Sequence, residues 1–199
     1  MDNKLILAVL IAAAIWYYET QQGGADDPQS EDLVDTMNTA IDQAAAVVSG
    51  PGPVADMSTS DAGLALIQGY EQCRLSAYQL GDGGWTIGWG HYSTGAKPGD
   101  ITQAQADAMF AQDVVDRGEK WVKLYVTTDL TQNQFDALVS IAYNMSPQSF
   151  KKFAAAVNAG DGIDGMAQQS VGWVAANLQN GIQNRRDAEM NVYDNGIYS

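Results

Sequence analysis

Apolar residues fall into runs of very different kinds along this chain. The first, Leu5 to Tyr18, reads LILAVLIAAAIWYY, free of charge, preceded by Lys4 and closed by Trp16, Tyr17 and Tyr18 before Glu19. At 14 residues it is shorter than the roughly 20 that a helix needs to cross a bilayer, although a snorkelling lysine and interfacial aromatics extend its reach. Three readings compete: a short anchor helix, a cleavable signal peptide and a buried core helix. Bulky Trp-Tyr-Tyr-Glu-Thr-Gln-Gln stands where a signal peptidase needs small residues, which favours an uncleaved anchor over residues 1–19 that meets the membrane through residues 5–18. Lys4 ahead of the run and acids behind it favour export of the remainder.

The pattern then breaks. Residues 20–57 open with Gln-Gln-Gly-Gly-Ala-Asp-Asp-Pro and end in Ser-Gly-Pro-Gly-Pro, two stretches that interrupt regular structure and mark a linker. Between them Leu33, Met37, Ile41, Ala45 and Val48 recur every three or four residues opposite Asp32, Asp35 and Asp42, with Ser30 placed to cap. That spacing predicts one amphipathic helix. Docking on the domain that follows is the plainer reading; a self-associating stalk is the alternative.

From Ser58 onward the signals are those of a folded domain, 58–199. Ser60 caps a helix carrying Leu64, Ile67 and Tyr70 and ending near Cys73. Arg74–Tyr78 and Trp85–Trp89 read as two short strands folded back around a glycine-rich turn. Beyond Gly99 the period is helical: Thr102 leads Ala106, Met109, Phe110 and Val114, and Thr131 leads Phe135, Leu138 and Ile141. Further helices are expected at Ser149–Asn158, Gly165–Asn177 and Gly181–Tyr193. The fold class predicted is α+β, mainly α, with a small hairpin lobe and a larger helical lobe, plus the N-terminal hydrophobic helix.

Charge narrows the partners. Ten basic against 24 acidic residues give −14, so the surface repels phosphate and cannot use the electrostatic term that dominates nucleic-acid affinity. Residues 1–57 hold nine acids and one base, leaving 15 acids and nine bases for the domain. One cysteine, Cys73, and one histidine, His91, exclude an intramolecular disulfide and leave no Cys/His set for zinc.

The densest chemistry lies between Glu71 and His91. Glycoside hydrolysis needs one carboxyl that gives a proton to the leaving oxygen and, in most families, a second that activates water or attacks the sugar. Glu71 stands at a helix end, where Tyr70, Leu75 and nearby aromatics are expected to bury it; Asp82 stands in the turn, and Thr86 on the second strand. A Glu and a turn Asp eleven residues apart are common in proteins of every kind, so spacing alone is a weak pointer.

The wording of the segment is more specific. Glu71, Gln72, Arg74, Leu75, Ala77 and Tyr78, followed by Trp85 to His91, resemble the pattern E-G-x-R-L-x-A-Y leading through a turn to W-T-I-G-x-G-H of the phage-type lysozymes, glycoside hydrolase family 24. Leu130–Ser140 and Gly181–Glu189 resemble the same family in the same order. The resemblance spans about Ser58 to Tyr193. It implies a lysozyme-like fold that cleaves between N-acetylmuramic acid and N-acetylglucosamine in peptidoglycan, without a cofactor or metal.

Carried over by position, Glu71 is the general acid, Thr86 helps hold the attacking water, and Arg185 pairs with the catalytic Glu. Tyr78, Tyr143, Asn144 and Arg185 are expected to meet substrate in the cleft. His91 is expected to brace the hairpin through an ion pair with a helix Asp, and Cys73 to be a small core residue. One departure stands out: nine residues after Glu71, where the family usually has Asp, this chain has Leu80, and Asp82 is the nearest substitute. The expected role is wall digestion by a phage protein held at a membrane, with the domain facing the periplasm or wall. A virion-associated lysozyme with other virion proteins as partners is slightly favoured by the long linker over a signal-anchored endolysin. The rival, motivated by Leu80, is a lysozyme-like protein that binds peptidoglycan or serves as a structural virion component without efficient catalysis.

Overall fold

A computed structural model describes residues 52–81 and 83–198. The expected anchor, the linker helix and Asp82 lie outside the described residues. Among those described, no helix is long and apolar enough to cross a membrane.

The domain opens with a short 3-10 turn, Val54–Asp56, whose Val54 is buried. Gly52 and Leu130 exchange both backbone hydrogen bonds, at 2.9 and 3.0 Å. Helix α1, Asp61–Gln68, follows Ser60, whose hydroxyl accepts from Gly63 N–H. It stops several residues before Cys73. Past Gly69 the Tyr70 and Glu71 amides bond back only three residues, to the Ile67 and Gln68 carbonyls, and this tighter closure ends the α-helix and swings Glu71 out into a bend. Cys73 sits half-buried beside Gln103 rather than in the core.

Three strands form an antiparallel meander: β1 Arg74–Tyr78, β2 Trp85–Gly88 and β3 His91–Ser93. The sequence pattern predicts only the first two. The third is three residues long, too short for alternation to show, and it forms because Gly88 and Gly90 take φ of +62° and +94° and let the chain reverse at once. Tyr78 pairs with Thr86, and Thr86 with Tyr92, so these three side chains form one row across the sheet.

The remainder is helical. α2, Gln103–Val114, runs through a widened π turn, Val115–Glu119, into α3, Lys120–Tyr125; α4 is Gln132–Tyr143, α5 Pro147–Ala159, α6 Asp164–Val171 and α7 Gln179–Asn195. Local chemistry sets the starts of α2 and α4. Gln105 Oε1 accepts from Thr102 N–H at 2.9 Å, and Gln134 Oε1 from Thr131 N–H at 3.0 Å, so each N-cap is closed by the glutamine three residues on. α4 is the central element. It is buried continuously from Phe135 to Tyr143 and packs on α7, the π turn, α1, α3 and α5. Phe110, Val122, Leu138, Ile141, Phe150, Phe153 and Val192 fill the core around it.

A buried carboxylate locks this frame. Asp136 on α4 accepts from Ser60 N–H (3.1 Å), Ser60 Oγ (2.5 Å), Gln132 Nε2 (2.9 Å) and Tyr198 Oη (2.7 Å). Burial still leaves its carboxyl above the ordinary range, against the pull of those bonds. Gly63 permits the contact, because a Cβ there would lie 2.6 Å from the Asp136 carboxyl carbon.

Candidate active site

Sheet and helices meet at a cleft of about 600 Å³ lined by Glu71, Tyr78, Leu80, Thr86, Gly90, Tyr92, Asp113 and Arg117. The bend after α1 supplies Glu71, the sheet supplies the row Tyr78–Thr86–Tyr92, and α2 with the π turn supplies Asp113 and Arg117. Fifteen residues of sequence separate Glu71 from Thr86, and the meander brings both to one wall.

Glu71 does not sit in the apolar pocket expected for it. Tyr70 and Leu75 are 37% and 39% exposed and do not enclose its carboxylate. A guanidinium stands there instead: Arg185 Nη1 reaches Glu71 Oε1 at 3.3 Å, with the Glu71 side chain 26% exposed and that of Arg185 only 4%. The ring of Tyr70 covers this guanidinium, 4.8 Å from its centroid. The acid thus presents one edge to the cleft while a buried cation fixes the other.

Arg185 is itself held from behind. Its Nε donates to Glu189 Oε1 (3.1 Å), and its Nη2 to the Ser140 carbonyl (3.2 Å) and Ser140 Oγ (3.3 Å). Glu189 is fully buried and also accepts from Ser140 Oγ at 2.6 Å and from Arg186. Arg186 in turn donates to Ser170 Oγ (3.0 Å) and Asn144 Oδ1 (2.7 Å). α4, α6 and α7 are tied together here, directly beneath the Glu71 bend.

His91 Nδ1 lies 3.0 Å from both oxygens of Asp113 on α2. The pair joins β3 to the helical lobe, across the base of the sheet. Asp113 lines the cleft, yet both its oxygens are engaged by that nitrogen.

Two expected substrate contacts are placed otherwise. Tyr143 is 5% exposed and lies under the cleft rather than along it, with Phe110 edge-on at 6.0 Å and the Arg117 guanidinium 4.6 Å above its ring. Burial pushes its phenol up to about 12; Arg117 pulls the other way, while Glu71 and Asp113 add to the rise. Asn144 also lies off the cleft lining, because its side-chain oxygen is committed to Arg186. Alternation and spacing place neither correctly, since both sit at the end of α4, where a helix turned inward by its apolar face carries Tyr143 with it. Tyr78 lines the cleft, and so does Tyr92, which the sequence pattern does not single out. Arg117 and Glu189 are likewise missed by it. For Arg117 the one sequence signal is the glycine that follows it inside a helical stretch, which often marks a close packing or functional constraint.

Leu80 lines the cleft mouth and is 70% exposed. Its side chain can neither accept a proton nor hold water. Asp82, the expected substitute carboxylate, lies outside the described residues.

A family model described as phage lysozyme matches residues 68–189. An endolysin of Lactococcus phage c2 is 36% identical over 155 residues, covering 72% of this chain. An endolysin of Acyrthosiphon pisum secondary endosymbiont phage 1 is 33% identical over 147 residues, 69% of this chain and 99% of its own length. The chain spans only 63% of the length of the Lactococcus phage protein. Among solved structures, the muramidase domain of SpmX from Asticaccaulis excentricus superposes with a TM-score of 0.60 at 34% identity, over 69% of this chain and 97% of that one. An endolysin from Escherichia coli O157:H7 phage FAHEc1 gives 0.59 at 32%, over 75% and 99%.

Proposed function

The chain belongs to the phage lysozyme family, and from that premise we propose that it is a glycoside hydrolase cleaving the β-1,4 bond between N-acetylmuramic acid and N-acetylglucosamine in peptidoglycan, with Glu71 as general acid. The observation that carries the reading is Glu71 lining the same cleft as Thr86 with its inner edge fixed by Arg185.

The acid form of Glu71 gives its proton to the glycosidic oxygen as the C–O bond breaks and the sugar carbon gains oxocarbenium character. Water adds to that carbon from the opposite side, oriented by the Thr86 hydroxyl. Asp82 takes the proton of that water. With a water seated between Glu71 and Asp82, the anomeric configuration inverts. Glu71→Gln abolishes clearing of peptidoglycan in a zymogram, whereas retained clearing by that variant overturns the assignment. Asp82→Asn lowers the rate at least tenfold, about 1.4 kcal/mol of barrier; an unchanged rate removes Asp82 from the mechanism.

A second reading has its own observation. Leu80, on the cleft mouth at the family's second-carboxylate position, suits a protein that grips glycan and cuts it slowly or not at all. Absence of clearing by the unaltered protein, with glycan still retained, selects it.

The sequence of residues 5–18 supports a membrane-held protein whose domain faces the periplasm or wall, acting either as a virion lysozyme in entry, with other virion proteins as partners, or as a signal-anchored endolysin in lysis. Extraction at alkaline carbonate decides the anchor: a chain recovered in the soluble fraction has none.

A further inference from the structure

Nine of the described residues are Lys or Arg, and Arg117 is the one lining the cleft. Its position is unusual for an arginine in so acidic a protein, because the described carboxylates of the cleft and the adjoining turn have other partners. Glu71 faces Arg185 at 3.3 Å, Asp113 faces His91 at 3.0 Å, and Asp116 accepts from Gln112 at 3.1 Å. Arg117 forms no ion pair with any described residue. What holds it is the ring of Tyr143, 4.6 Å beneath the guanidinium, a buried platform under the plane of the fork, whose N–H edges make no hydrogen bond to a described residue.

The backbone explains how the side chain reaches the cleft. Arg117 is the middle residue of the π turn Val115–Glu119, a widened turn of a kind found often at functional sites. Gly118 next to it packs on Val139 so closely that a Cβ would lie 2.7 Å from Val139 Cγ1. The turn therefore seats its backbone on α4 and directs the neighbouring side chain outward to the cleft. Arg117 has a stacking surface on one side and is exposed on the other.

We propose that Arg117 reads the substrate: its guanidinium binds a carboxylate of the peptide stem borne by the muramic acid in the cleft, so the site favours stem-bearing over stem-free glycan. The planar fork matches a carboxylate in two parallel hydrogen bonds. A net charge of −14 repels an anionic polymer, so a single cation at the contact point carries more weight than it would on a basic protein. The inference deepens the hydrolase reading and rests on it for the identity of the polymer.

Binding separates the two. The chain carrying Glu71→Gln, to prevent cutting, is titrated with peptidoglycan strands and with the same strands stripped of peptide by an amidase and then amidated at the lactyl carboxylate that the cut exposes. Adding Arg117→Ala weakens binding to the stem-bearing strands about five- to tenfold and to the stripped strands less than about twofold, the size expected for loss of one charge-assisted pair. Arg117→Lys recovers part of the loss, and Lys152→Ala, whose ammonium stacks on Trp173, changes neither value. Equal weakening on both strands, or none on either, overturns the proposal. If the unaltered protein cuts neither polymer but the stem-dependent loss is present, the hydrolase reading falls and the role of Arg117 stands. If it cuts peptidoglycan and the stem-dependent loss is absent, the hydrolase reading stands and the role of Arg117 falls.

Discussion

Glu189→Gln tests whether the buried network beneath the acid is what positions it. In the folded protein one fully buried carboxylate faces two arginines that are 3% and 2% exposed. Among the described residues Glu71 supplies the only other carboxylate paired with either, so two cations are balanced by two anions. The substitution keeps the shape and removes one negative charge. Arg185 and Arg186 are left buried with a neutral neighbour, and breaking a buried pair this way costs about 3–5 kcal/mol. Against a total stability of about 5–15 kcal/mol, that lowers the melting temperature of a domain this size by about 10–15 °C, at roughly 3 °C per kcal/mol. The charge lost also weakens the rear support of Arg185, leaving the bonds to Ser140, so activity on peptidoglycan at about 20 °C, well below the melting range, drops along with stability. Circular dichroism melts and turbidity clearing measure the two. Adding Arg186→Met removes the surplus cation, and the double variant is then less unstable than the sum of the single changes, by about 1 kcal/mol or more, on the order of coupled buried charges. A melting temperature within about 3 °C of the unaltered protein, or strict additivity with Arg186→Met, refutes the network as described.

Two further outcomes follow from the packing. Glu119 is 5% exposed and accepts from Thr59 N–H (2.7 Å), Thr59 Oγ1 (2.8 Å) and Lys123 Nζ (3.0 Å); burial pushes its carboxyl up, but the three bonds and the lysine charge together outweigh it and hold it below the ordinary value. A depressed carboxyl stabilises the fold above its unfolded value and loses that contribution as pH falls through the lower, folded one, so Glu119→Gln costs about 1–3 kcal/mol near pH 7 and much less near about pH 2.5 by urea unfolding; equal costs at both pH values contradict the sign. Gly118→Ala gains about 1 kcal/mol of helix propensity but meets Val139 at 2.7 Å, an overpacking cost of about 1–3 kcal/mol, so it is neutral to destabilising, and combined with Val139→Ala it is more stable than additivity gives; no coupling between the two sites rules out the contact.

The helical lobe was legible wherever a local device accompanied the periodicity. Ser60, Thr102 and Thr131 stand ahead of apolar stripes, and each helix begins where its cap stands. Boundaries failed where tertiary geometry intervened. The stretch expected as one helix over Gly165–Asn177 stops at Val171 and resumes only as the short turn Ala176–Leu178, since Gly172 and Trp173 close the helix with three-residue bonds to Gln169 and Ser170. The π turn leaves no periodic trace, because one extra residue in a helical repeat is masked by the tolerance of the repeat itself.

Site residues divide by the same logic. Glu71, Tyr78 and Thr86 belong to one short segment, and the bend after α1 with the pairing of β1 and β2 brings them to one cleft; their expected roles came from the resemblance. Arg117 and Glu189 make contacts with residues far away in sequence, so Gly118 beside the first and the family-like stretch that ends at the second mark a neighbourhood without revealing the contact. Arg185 was reachable only through resemblance, never through pattern. Tyr143 shows the converse error: an aromatic in a stretch similar to a known family reads as a sugar platform, yet α4 turns it under the cleft, where it carries an arginine instead of a sugar. The described charged side chains of this cleft thus come as an acid backed by a cation, a carboxylate bonded to histidine, and one cation, Arg117, in no ion pair with a described residue. An arginine held by a ring and not by an ion pair is open to an anion of the incoming polymer, and that is why Arg117 is where selectivity between glycans is to be sought.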